Sequence, residues 1–95
     1  MPGRPLYCPD PEVNFRMAQQ LYRWADDAEA GLFGVGESGG ADAIAMGIMI
    51  VQTVRTGQPD YASAHATGEA VMMLVPEAVS GYLRSLGDAL LGVCE

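Results

Sequence analysis

Apolar residues recur along this chain with a helical period. Val13, Met17, Leu21, Trp24 and Ala28 follow one another at three- and four-residue spacings, which places them on one helix face. The start of that helix is marked. Asp10 can cap free amides, Pro11 suits the first helical position and Glu12 favours the positive end of the dipole. Gly31 is a natural stop, so the pattern predicts a helix over about 11–30. Asp26, Asp27 and Glu29 lie in its last turns. Negative charge there costs on the order of 0.3–1 kcal/mol per residue. Either the helix frays early or something in the fold rewards the cluster.

Residues 31–40 form a glycine-rich connector with Leu32, Phe33 and Val35 inside it, so the loop is expected to fold back on the core. A second helix is expected over about 41–56. Asp42 stands at its start and Arg55 in its last turn, with Gly57 and Pro59 beyond. Between Ile44 and Val54 it is apolar almost all round. A buried strand is the competing reading of so short a run, but its length and caps favour a central helix. Gly47 would let a neighbouring helix come close. Asp60 caps a third helix over about 61–75, with small-residue stripes at Ala62, Ala66 and Ala70 and at Ala64 and Gly68. Pro76 either kinks this helix or begins the next. The fourth helix, about 76–91, carries the clearest amphipathic pattern: Val79, Tyr82, Leu83, Leu86, Ala89, Leu90 and Val93. Its opposite face holds Glu77, Ser80, Arg84, Ser85 and Asp88.

Ninety-five residues make one domain. The expected fold is all-α, a compact bundle of about four helices over residues 11–95. A Pro-rich, extended arm over residues 1–10 precedes it. Hydrophobic residues make up 49% and charged residues 18%, which separates the chain from disordered sequences. The N-terminus has no apolar run of the secretory type, and the expected location is the cytoplasm. The longest apolar stretch falls far short of the ~20 residues of a membrane span. Cys8 and Cys94 fit no zinc spacing and are expected to be free thiols in a reducing compartment; a disulfide tying the arm to the C-terminus is the alternative.

Twelve acidic residues stand against five basic ones, for a net charge of −7, and every basic residue is arginine. That balance argues against direct nucleic-acid binding and against a polybasic membrane patch. The absence of lysine excludes Schiff-base chemistry and a Walker-type phosphate site.

Two loop motifs suggest chemistry and neither has its context. Gly34-Val35-Gly36-Glu37-Ser38-Gly39 matches G-x-G-x-x-G, but a helix precedes it and Glu37 sits where phosphate would lie. Gly36-Glu37-Ser38-Gly39-Gly40 matches G-x-S-x-G, and Asp42 or Asp60, then His65, follow in hydrolase order. The parallel sheet of that fold needs ~30 residues for each βαβ unit, more than this chain has. The simpler reading is a tight inter-helix loop with Ser38 or Asp42 capping helix 2. His65 faces Glu69 one turn on. One histidine beside methionines makes no tetrahedral site, so neither a metal nor another cofactor is expected.

These features predict a small acidic protein–protein interaction module: an adaptor, assembly factor or inhibitor of a larger protein. Its apolar surplus suggests a homodimer. Its acidic surface suits a basic partner, in the narrow case by nucleic-acid mimicry. The candidate partner-binding residues are Asp26, Asp27, Glu29, Glu37, Asp42, Tyr7, Leu32 and Phe33. Tyr7, Trp24, Tyr61 and Tyr82 are possible aromatic anchors. The methionines fill core gaps or line an adaptable surface. The alternative is a small-molecule binder or small enzyme built on Ser38, Asp42 and His65, with Glu69. Catalysis is not the favoured reading.

Overall fold

A computed structural model describes residues 11–33 and 39–92. Among them lie four helices and no strand: α1 (Pro11–Glu29), α2 (Gly39–Thr56), α3 (Tyr61–Val71) and α4 (Pro76–Gly92). The N-terminal arm, the motifs around Ser38 and both cysteines fall outside the described residues.

The stops and caps act where the sequence places them. Gly31 and Gly57 adopt φ of 76° and 78°, left-handed values that cost glycine little. The Asp60 side chain accepts the Ser63 amide at 3.1 Å and so caps α3. The end of α3 differs from expectation. The helix stops at Val71, four residues early, and its last turn tightens. Met73 N donates to Ala70 O at 3.2 Å and Leu74 N to Val71 O at 3.0 Å. The cause is Pro76, which disfavours helical backbone at Val75 and cannot donate an amide of its own. Pro76 therefore opens α4, and the kinked-rod alternative falls away.

The helices form two antiparallel pairs. In the first, α1 lies against α4, with Tyr22 beside Asp88, Asp26 beside Arg84 and Glu29 beside Ser80. In the second, α2 lies against α3, with Asp42 beside His65. Gln52 Oε1 accepts the Asp60 amide at 2.8 Å and closes that hairpin.

Glycines set the spacing. A Cβ at Gly68 would lie 2.5 Å from the Ala41 carbonyl oxygen. At Gly87 it would lie 2.8 Å from Tyr22 Cε1. At Gly47 it would lie 2.9 Å from Leu21 Cδ2 and 3.3 Å from Leu86 Cδ1. Gly47 is therefore where α1 and α4 close on α2, the close approach expected of it. The core contains Leu21, Ile44, Val54, Leu83 and Leu90, all essentially without solvent contact. Burial of such a side chain contributes about 1.5–3 kcal/mol.

The buried face of α1 is not centred on its large residues. Ala18, Leu21, Ala25 and Ala28 are buried, together with Asn14. Met17 and Trp24 only pack at the edge of the core, and Val13 is exposed. The small face lets α4 come close, and the larger apolar side chains of α1 are left along its flank.

Candidate functional site

The acidic end of α1 is tied to α4. Asp26 Oδ1 accepts from the Arg84 guanidinium at 2.7 Å. Glu29 Oε2 lies 3.6 Å from the same group, and Glu29 Oε1 accepts from the Ser80 hydroxyl at 3.1 Å. The hydrogen bond to Asp26, joined by the charges of Asp26 and Glu29, pushes the Arg84 pKa up, with desolvation opposing. One helical turn on, the Tyr22 hydroxyl donates to Asp88 at 2.5 Å. That bond, with burial and the Asp88 charge, raises the Tyr22 phenol above its ordinary value, and Arg84 opposes. A polar seam thus runs along the α1–α4 contact from Tyr22–Asp88 to Glu29–Ser80. It answers the cost that the acidic cluster incurs at the end of α1: Arg84 supplies the cation that the last turn lacks.

The acidic candidates therefore divide. Asp26 and Glu29 belong to the seam. Asp27 has an exposed side chain, and its main-chain carbonyl accepts the amides of Leu32 and Phe33 at 2.8 and 3.2 Å. Asp42 belongs to the other helix pair. Glu37 and Tyr7 fall outside the described residues. Leu32 is exposed and Phe33 half-buried. The Phe33 ring sits tilted on Trp24, with centroids 6.1 Å apart.

The alternative chemical site is partly assembled. His65 Nε2 lies 3.2 Å from Asp42 Oδ1, and His65 Nδ1 lies 2.8 Å from Glu69 Oε1. The Tyr61 ring lies alongside, with centroids 5.5 Å apart. The i,i+4 pair was legible in the sequence, but Asp42 joins it only through the α2–α3 packing. A general base needs an acceptor nitrogen turned toward a substrate proton. Here each ring nitrogen faces a carboxylate, so the ring bridges α2 to α3 and neither nitrogen is turned to a substrate. Ser38 lies outside the described residues. Among the described residues, no three His, Cys, Asp or Glu side chains are grouped to hold a metal ion.

A further surface is built by α2. Its inner face buries Ile44, Ile48, Val51 and Val54. Its outer face carries Met46, Met49, Ile50 and Thr53, at helical spacing. Met46 is 50% exposed. Two open hollows meet at Ile50. One, about 530 Å³, lies toward α1 and is lined by Val13, Met17 and Gln20. The other, about 410 Å³, lies toward the start of α3 and is lined by Met46, Met49 and Tyr61. Arg16 and Arg23 stand on the α1 flank, and Asp42 on the α3 flank. No motif in the sequence marks this surface as a site. Its signal was present: a helix apolar almost all round, in a domain too small to surround it. No helix among the described residues is long and apolar enough to cross a membrane.

Compared with known proteins, the chain matches no family model, no curated protein and no solved structure.

Proposed function

We propose that the protein works by contact with another protein chain and that the outer face of α2 is its docking surface. The observation that carries this is the strip Met46, Met49 and Ile50 at the junction of two apolar hollows. Most of the chain's large apolar residues have a place in the core or at its edge. In this strip Met49 and Ile50 pack against the core from one side and stay half-exposed on the other, and Met46 is exposed. Contiguous apolar hollows rimmed by polar groups characterise protein interaction sites. Methionine adapts its shape to a partner at low conformational cost.

The charge pattern supports contact through this face rather than mimicry of a phosphate backbone. Asp26 and Glu29 are engaged with Arg84 and Ser80. The face itself carries Arg23 against Asp42, and Arg16 is paired with Glu12 at 2.7 Å, so its local charge is balanced.

The test compares capture by immobilised wild type, Ile50→Asp and Ala66→Asp, after circular dichroism shows all three folded. Ala66 is exposed on α3 and serves as the control. A protein, of its own kind or another, retained by wild type and Ala66→Asp but lost with Ile50→Asp supports the reading. Equal retention by all three refutes it.

A further inference from the structure

We infer that the end of the bundle where α1 stops and α3 turns into α4 is a second docking surface, and that its occupant is a basic amphipathic helix of another protein. This end lies apart from the α2 face, and the hollows of the two share no residue.

The first observation is apolar exposure. Pro76 ends α3 at Val71 and leaves Met73, Leu74 and Val75 in the turn before α4. Each is more than half exposed, as is Leu32 just beyond α1. The fold brings the two segments together. Glu29 Oε1 accepts from the Ser80 hydroxyl and fixes the end of α1 beside the start of α4. Between them lies a hollow of about 210 Å³, lined by Gly31, Phe33, Leu74, Pro76 and Val79. Leu32 sits between two of these residues in the chain, and Met73 and Val75 flank a third. Large apolar side chains grouped beside one hollow, and not scattered singly, mark an interaction site.

Size chooses the class of occupant. Ligand pockets run from ~300 to ~1,000 Å³, so this hollow suits one anchoring side chain of a protein better than a small molecule. Among the described residues there is no strand, and so no sheet edge to pair with an extended segment. The occupant must satisfy its own backbone hydrogen bonds, which a helix does. An apolar helix face laid in a groove is a recurrent mode of recognition.

Charge chooses its chemistry. At this end α1 and α4 carry Asp26, Asp27, Glu29 and Glu77, and Arg84 is engaged with Asp26 and Glu29. Asp27 and Glu77 are exposed and meet no cation among the described residues. They adjoin Ala28 and Pro76, which both line the hollow. Unpaired carboxylates beside an apolar patch complement Lys or Arg along the flanks of an apolar helix face.

The probe is a synthetic helix of about 15 residues with one leucine face and lysine elsewhere. The comparison is the same helix with glutamate in place of lysine. Trp24 is the chain's one tryptophan and packs on Phe33, with ring centroids 6.1 Å apart, so its emission reports on the hollow. The full chain should show a saturable change in emission with the lysine helix at micromolar concentrations, and none with the glutamate helix. Leu74→Asp should weaken binding at least ~10-fold. Asp27→Asn with Glu77→Gln should weaken it several-fold and flatten its salt dependence. Ile50→Asp should bind as wild type does. Peroxide should leave Met73 protected by the lysine helix while Met46, on the α2 face, stays reactive. Circular dichroism first shows each variant folded. If Leu74→Asp unfolds, Met73→Ser replaces it, at the most exposed position of the patch, and should weaken binding several-fold. No saturable change with the lysine helix overturns the inference, as does equal binding of the glutamate helix. Binding lost with Ile50→Asp but kept with Leu74→Asp overturns it too. So does a Met73 that resists peroxide in the free chain, because the chain then covers the patch itself.

Discussion

Gly68→Ala isolates the contact that holds α3 on α2. The new methyl carbon would lie 2.5 Å from the Ala41 carbonyl oxygen, 3.3 Å from its carbon and 3.4 Å from Cα. All three atoms are backbone, so no flexible side chain can swing aside, and α3 must lift away from α2. Overpacking of this kind costs about 1–3 kcal/mol. The alanine returns about 0.8–1 kcal/mol in helix propensity. A 2.5 Å approach to rigid backbone belongs in the upper part of that range, ~2–3 kcal/mol, so the net loss is ~1–2 kcal/mol, or ~5–10 °C in melting temperature for a domain of this size. Gly81→Ala is the matched control. It lies within α4 and nothing stands within 4 Å of its added carbon. Only the propensity gain remains, so that variant should melt a few degrees higher, by ~0.5–1 kcal/mol. The assay is thermal unfolding by circular dichroism at one protein concentration, because self-association shifts the midpoint. If Gly68→Ala matches wild type, or rises with Gly81→Ala, the close α2–α3 approach is wrong.

Three further outcomes follow from the seam and the α2 face. Tyr22→Phe removes a phenol whose pKa is raised by Asp88. A raised folded-state pKa gives stability that is present below the ordinary value of about 10 and is lost as pH climbs through it. The variant should therefore melt below wild type at pH 8, and the gap should narrow above pH ~10; a constant gap would contradict the hydrogen bond. Tyr82, raised by its burial, titrates in both proteins and cancels in the comparison. Arg84→Met keeps the side-chain stem but leaves Asp26 and Glu29 uncompensated at the end of α1. Its melting temperature should fall, less so in high salt, and indifference to salt would refute the ion-pair role. Ile50 is half-buried at the edge of the core, so Ile50→Asp should keep the monomer helical but melt lower, by ~1–2 kcal/mol; loss of the helical fold would make Ile50 a core residue instead.

The helices were legible where local chemistry decides them. Proline and glycine boundaries, the Asp60 cap and the α4 stripe needed no tertiary knowledge. The end of α3 was not legible, because apolar periodicity runs through Met72–Val75 while backbone restriction before Pro76 ends the helix. The polar stripe of α4 was the larger gap. Ser80, Arg84 and Asp88 have the spacing of a solvated face, yet they meet Glu29, Asp26 and Tyr22. Only the pairing of α1 with α4 reveals this. The acidic cluster carried a local clue, its conflict with the helix dipole, and the fold resolves it with Arg84. For α2 the sequence showed apolar residues on every side but not which side would be left uncovered. That depends on Gly47 drawing α1 and α4 onto the inner face.

The most direct measurement of the contact surface is methionine oxidation followed with and without the protein that wild type captures. Met46 is 50% exposed on the α2 face, and Met73 is 87% exposed at the α3–α4 turn. Peroxide converts each accessible thioether to its sulfoxide, so Met73 serves as an internal reference. The account predicts oxidation of both in the protein alone and protection of Met46, but not Met73, when the captured protein is bound. A Met46-to-Met73 ratio unchanged by that protein would contradict it.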